Sequence, residues 1–156
     1  MPERAGTNAI LLWMYRCPLL LALTSALAIA LDYTLTCGFS ENPGEILMNE
    51  FSPVVRYAIE NRLILPFLLV LVAVYFTVSY VGLSLLLRTR FYRFGVAIVV
   101  LVALTHVLGG LSWYFRDPLY SAWVQSLVIA LLLFALVVAS YTIFSVMHER
   151  KGERSA

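Results

Sequence analysis

The chain predicts an all-α fold, an integral membrane four-helix bundle formed as a single transmembrane domain over residues 1–156. Three observations predict it. Four long apolar runs fill most of the chain. The composition is 62% hydrophobic and only 13% charged, where a soluble domain carries about 25% charged residues. The arginines gather at one end of the runs. A helix rises ~1.5 Å per residue, so ~20 residues cross a hydrocarbon layer of ~30 Å. The runs at about 17–37, 63–87, 95–115 and 119–144 all reach that length. Spans and connections together leave no room for a separate soluble domain.

The first span begins at Cys17 and ends at Cys37. Arg4 and Arg16 ahead of an apolar stretch, with Ala26, Ala28 and Ala30 inside it, also resemble a secretory leader with a small-residue cleavage site, so removal of residues 1–30 is an alternative. The run continues through Leu31, Tyr33 and Leu35, which predicts a retained helix. Cys17 and Cys37 bracket it, about 30 Å apart along a helix. A disulfide needs Cα atoms within about 7 Å, so both read as small apolar residues.

The connection from 38 to 62 is far longer than the others. Asn42-Pro43-Gly44 marks a turn. After it, Ile46, Leu47, Phe51, Val54, Val55 and Ile59 intersperse with Glu45, Asn49, Glu50 and Arg56. That pattern predicts one or two short amphipathic segments on the membrane surface, broken near Pro53. Loops of this length are usually functional when they are not disordered.

Pro66 falls in the first turn of the second span, where its missing N–H costs little. The arginine-rich stretch 88–94 makes a short hairpin to the third span. Arg116-Asp117-Pro118 makes a tight turn to the fourth. Tyr92, Trp113, Tyr114, Tyr120 and Trp123 sit at predicted boundaries, as an interfacial aromatic belt requires.

Charge orients the bundle. Arg4, Arg16, Arg88, Arg90, Arg93, Arg150, Lys151 and Arg154 fall on one side, eight of the 11 basic residues, against Arg56, Arg62 and Arg116 on the other. The positive-inside rule then predicts a multi-pass cell-membrane protein with both termini cytoplasmic and an extracytoplasmic 38–62 loop. A net charge of +2 gives no footprint for nucleic acid. The expected surroundings are the lipid bilayer, other membrane proteins or further copies of the chain.

Three sets of polar residues could carry chemistry. Asp32 lies near the outer end of the first span, where an unpaired carboxylate costs about 2.5–3.5 kcal/mol. It either reaches water at the helix end or finds a partner. His106 lies in the third span, preceded by Thr105 and followed by Gly109-Gly110, which permit close helix approach. A lone histidine there is first a hydrogen-bonded packing residue and second a ligand. Asn49, Glu50 and Arg56 in the loop form either a solvated ion pair or the cover of a site. Asp32, Glu50 and His106 together would suit a divalent metal such as zinc, manganese or iron. No local metal-binding signature accompanies them. Thr24, Ser25, Thr77, Ser79, Ser84, Gln125, Ser126 and Ser140 read as interhelical or back-bonded hydroxyls and amides.

Asp32 and Thr36, followed by Glu50 and Pro53, resemble an uncharacterised family of small prokaryotic, largely archaeal, polytopic membrane proteins. Its pattern is Asp-x-x-x-Thr and then Glu-x-Asn-Pro with a nearby arginine. Ser52 stands where the family has asparagine. Glu41-Asn42-Pro43 is a rival match that keeps the Asn-Pro pair but shifts the glutamate. The resemblance implies a polytopic helical fold with a polar focus at Asp32 and Glu50, and no activity. Three functions are open at this stage: an accessory or assembly protein; a metal-dependent, hydrolase-like membrane enzyme using Asp32, Glu50 and His106 with Thr36, Asn49 and Arg56 in support; and an oligomeric transporter.

Overall fold

The computed structural model describes residues 13–50 and 52–153, with side chains apart from those of 143 and 146–153. Arg4, Phe51 and Arg154, used in the sequence reading, lie outside the described residues. The described chain is helical without strands. We label α1 Pro18–Phe39, α2 Pro43–Asn49, α3 Pro53–Glu60, α4 Ile64–Leu86, α5 Tyr92–Phe115 and α6 Pro118–Glu153. Four of these, α1, α4, α5 and the Pro118–Thr142 part of α6, are long and apolar enough to cross a membrane. That is the signature of a multi-pass membrane protein.

The long connection resolves into two short helices. Both start with proline at the first turn behind a capping side chain. The Asn42 side chain accepts from the Glu45 N–H at 3.0 Å. The Ser52 hydroxyl accepts from the Val55 N–H at 3.4 Å. Proline suits that position because its absent N–H has no intrahelical partner anyway. α2 ends at Asn49 and α3 starts at Pro53, the interruption near Pro53 that the sequence predicts.

Two boundaries differ from expectation. α5 starts at Tyr92, because Thr89 closes the preceding turn: its hydroxyl donates to the Leu86 carbonyl at 2.9 Å and accepts from the Phe91 N–H at 3.2 Å. α6 runs on to Glu153, since Glu, Arg and Lys are good helix formers and no breaker precedes Gly152.

The four long helices are unequal partners. α1 is central, packed most extensively against α5 and next against α4, while α6 leans on α5. α4 and α5 touch little although a hairpin joins them. This is a more open arrangement than a bundle closed around one core. Lipid is as apolar as leucine, so nothing drives closure, and helices approach only where small residues let backbones meet. α1 buries Ala22, Ser25, Ala26 and Ile29, and α5 buries Val96, Val99, Thr105 and Gly110, with Gly110 set against the Asp32 backbone of α1. The Ser25 hydroxyl has no hydrogen-bond partner among the described residues. Near the arginine-rich end Leu83, Tyr92, Val96 and Val99 form a small core. There the Tyr92 hydroxyl donates to the Tyr15 carbonyl at 2.6 Å. Elsewhere the long helices present leucine and valine outward, as at Leu69 on α4 and Val137 on α6.

Candidate functional site

Asp32 and His106 meet across the α1–α5 contact. The His106 Nδ1 lies 2.7 Å from the Asp32 Oδ2. Asp32 sits seven residues before the end of α1, ~10 Å along the axis, and His106 nine before the end of α5, ~13 Å. The pair therefore lies inside the span, nearer the end that carries α2 and α3.

Local sequence explains why the two helices meet here. Gly109 and Gly110 follow His106 by three and four residues and share its helical face. A Cβ on Gly110 would lie 2.9 Å from the Asp32 Cα, which is fixed backbone. A Cβ on Gly109 would meet only the Asp32 carboxylate, at 3.6 Å. Gly110 is thus what permits the approach. The pair is not sealed: the side chains of His106 and Asp32 keep 23% and 18% of their surface.

Hydrogen bonding sets the proton's position. With Asp32 ionised and His106 neutral, the carboxylate only accepts and Nδ1 carries the shared proton. Nε2 then presents a lone pair. It hydrogen-bonds to no described residue. The Tyr75 ring of α4 stands edge-on to the imidazole with centroids 5.3 Å apart. Thr36 is buried one turn beyond Asp32.

The other predicted residues do not join the pair. The Glu50 carboxylate accepts from the Ser52 N–H at 2.8 Å, at the start of α3. The Asn49 amide donates to the Glu45 carbonyl at 3.0 Å, finishing α2. Arg56 is exposed on α3. Among the described residues no three His, Cys, Asp or Glu side chains are grouped to hold a metal ion. A catalytic zinc takes three protein ligands. Asp32 with His106 supplies a carboxylate that orients an imidazole and stops there. Among the described residues these two donors are one short of the three protein ligands a catalytic zinc takes.

Two contributors escaped the sequence reading. One is Tyr75, which carries no charge and sits among apolar neighbours. The other is Arg116, read in the sequence only for orientation and as part of the turn before Pro118. Its guanidinium donates to the Phe39 carbonyl at 2.9 Å and to the Glu41 carboxylate at 3.2 Å, with Glu45 at 3.7 Å. Glu45 in turn accepts from the Glu41 N–H at 2.6 Å. The Glu41-Asn42-Pro43 segment is therefore the corner that Arg116 clamps to the α5–α6 turn. Acids around a proline-started helix, with one arginine in the facing turn, were the available signal. Arg116 adopts a left-handed φ of 51°, a strain of ~1–2 kcal/mol for a residue with a Cβ, against which these contacts work.

No family model, curated protein or solved structure matches the chain.

Proposed function

We propose that the chain is a multi-pass protein of the cell membrane, both termini cytoplasmic, whose functional centre is the Asp32–His106 pair acting as a general base. The arginine bias supports the orientation. One observation carries the chemical reading: a histidine held through Nδ1 by a carboxylate, with Nε2 unpartnered by any described residue and partly accessible. A carboxylate in that position fixes the tautomer and stabilises the imidazolium that forms when Nε2 takes a proton. Within a span, an ionisable pair is expensive unless it serves a function or a fold. The proton donor is a hydroxyl or a water delivered beside Nε2. The chemistry the pair supplies is proton abstraction by Nε2.

The second reading is an accessory or assembly protein, in which the pair merely locks α1 to α5. The apolar outward face of α6 favours it, since a partner helix could cover that face. Carbethoxylation of full-length protein in vesicles, read at each histidine by mass spectrometry, separates the two. The general-base reading expects His106 to react in wild type, and Asp32→Asn to slow that reaction by about tenfold while the protein stays monodisperse. An unreactive His106 in folded wild type and variant alike would leave the lock.

A further inference from the structure

We propose that the chain forms a parallel homodimer in the membrane through the outward face of α6, with Gln125 of one copy against Gln125 of the other. This goes beyond the general-base reading and does not depend on it. α6 meets its own molecule along one edge. There Val124 is buried, and the Tyr120 hydroxyl donates to the Leu108 carbonyl of α5 at 3.1 Å. Gln125 sits off that edge and is half-buried. The Pro118–Thr142 span is ~37 Å long against ~30 Å of hydrocarbon, which leaves Gln125 ~7 Å inside the apolar layer. An amide without a partner is costly there. Yet the Gln125 carboxamide makes no hydrogen bond to any described residue. Its neighbour Ser126 differs, since that hydroxyl donates to the Ala122 carbonyl at 2.8 Å.

Three features select a second copy. The first is spacing. Ala122, Gln125, Ile129, Leu132, Leu136 and Ala139 follow one another in alternating steps of three and four residues, the seam of a left-handed helix pair. All but Gln125 are exposed, and α6 packs extensively only on α5. Alanines at either end let two backbones approach, while Ile129, Leu132 and Leu136 fill the space between. The second is sidedness. Copies inserted by the same arginine bias share one orientation. A two-fold axis along the membrane normal then sets two α6 helices parallel. In a parallel seam each position meets its own counterpart, so both Gln125 side chains arrive together at equal depth. The third is chemistry. A carboxamide carries an acceptor oxygen and a donor NH2, so two of them satisfy each other through reciprocal N–H···O bonds. One polar residue in an otherwise apolar seam also fixes register. Lipid or an apolar partner helix would leave the amide unpaired.

The test uses full-length protein in phosphatidylcholine vesicles, with donor and acceptor dyes on separate molecules and stepwise dilution by added lipid. Wild type is expected to show energy transfer that falls with dilution as a two-body equilibrium. Gln125→Leu should move the midpoint about tenfold toward higher protein-to-lipid ratio, the shift that ~1.4 kcal/mol gives. Gln125→Asn keeps a carboxamide and should recover most of that loss. Disulfide trapping then maps the face, in vesicles and in native membranes. In a Cys17→Ser, Cys37→Ser background, Ile129→Cys and Leu136→Cys should give several times more oxidised dimer than Ala130→Cys and Val137→Cys, which are exposed but lie off the seam. Wild type without transfer at any dilution would overturn the proposal, and that is read whether or not the variants fold. So would a midpoint indifferent to Gln125→Leu, or equal trapping at Ile129 and Val137. Seam cysteines that capture a different polypeptide in native membranes, with no self-dimer in vesicles, would give the face to another partner and overturn it as well.

Discussion

At the residue scale, the spacing of one backbone from another decides whether the Asp32–His106 pair exists. Gly109 and Gly110 are adjacent and chemically identical, yet their surroundings are not. A methyl group at 109 would make ordinary contact with a carboxylate that can turn aside. A methyl group at 110 would press on the Asp32 Cα and the Leu35 side chain, at 2.9 and 3.0 Å. Gly109→Ala is therefore expected to melt within ~0.5 kcal/mol of wild type in detergent, and Gly110→Ala to lose ~1–3 kcal/mol, the usual cost of overpacking. His106 in Gly110→Ala should also react with diethyl pyrocarbonate at an altered rate. Equal behaviour of the two variants would mean that α1 and α5 do not cross where described. The pair's own worth is smaller than its chemistry suggests. Polar contacts between membrane helices average ~0.6 kcal/mol and reach ~1.7, so Asp32→Ala should cost stability in that range by reversible denaturation, with a large loss contradicting a partly exposed pair.

At the scale of elements, the loop helices depend on capping and on one arginine more than on apolar burial. α2 buries Ile46 and α3 buries Val55 and Ala58. Arg116 reaches from the end of α5 to hold the Phe39–Glu45 corner. Its ion pair with Glu41 is exposed, and exposed pairs contribute ~0–1 kcal/mol. Arg116→Ala should thus leave the melting of the long helices nearly unchanged. It should speed hydrogen exchange across 39–49 by several-fold, without a matching change in α4. Protection that stays intact over 39–49 would show that the corner is held by something other than this clamp. The long helices differ in kind: their outward faces are mostly apolar, and their order comes from α1 serving as the common wall.

At the scale of the whole molecule, sidedness is open to a test that needs no mutation. Cys17 and Cys37 are free thiols at opposite ends of α1, and Cys37 is exposed. A membrane-impermeant maleimide applied to intact cells is expected to modify Cys37 and to spare Cys17 until the membrane is permeabilised. The reverse pattern would place the arginine-rich end outside and the Asp32–His106 pair in the inner half.

The sequence by itself determined the solvent and the elements. Run length against bilayer thickness located four spans, and apolar residues interspersed with polar ones after Asn42-Pro43-Gly44, interrupted near Pro53, marked the short loop segments, because those signals are local. It singled out Asp32 and His106, since a charge or imidazole within an apolar run is conspicuous on its own. Only the tertiary structure decided that these two are partners and that Glu50 is occupied at the α3 entrance. Only it showed that Tyr75 and Arg116 belong to the story. Pairing across 74 positions depends on which helix faces which. In lipid that choice rests on the fit of small residues such as Gly110 against one neighbouring backbone, a property of two surfaces together that neither run of residues carries alone.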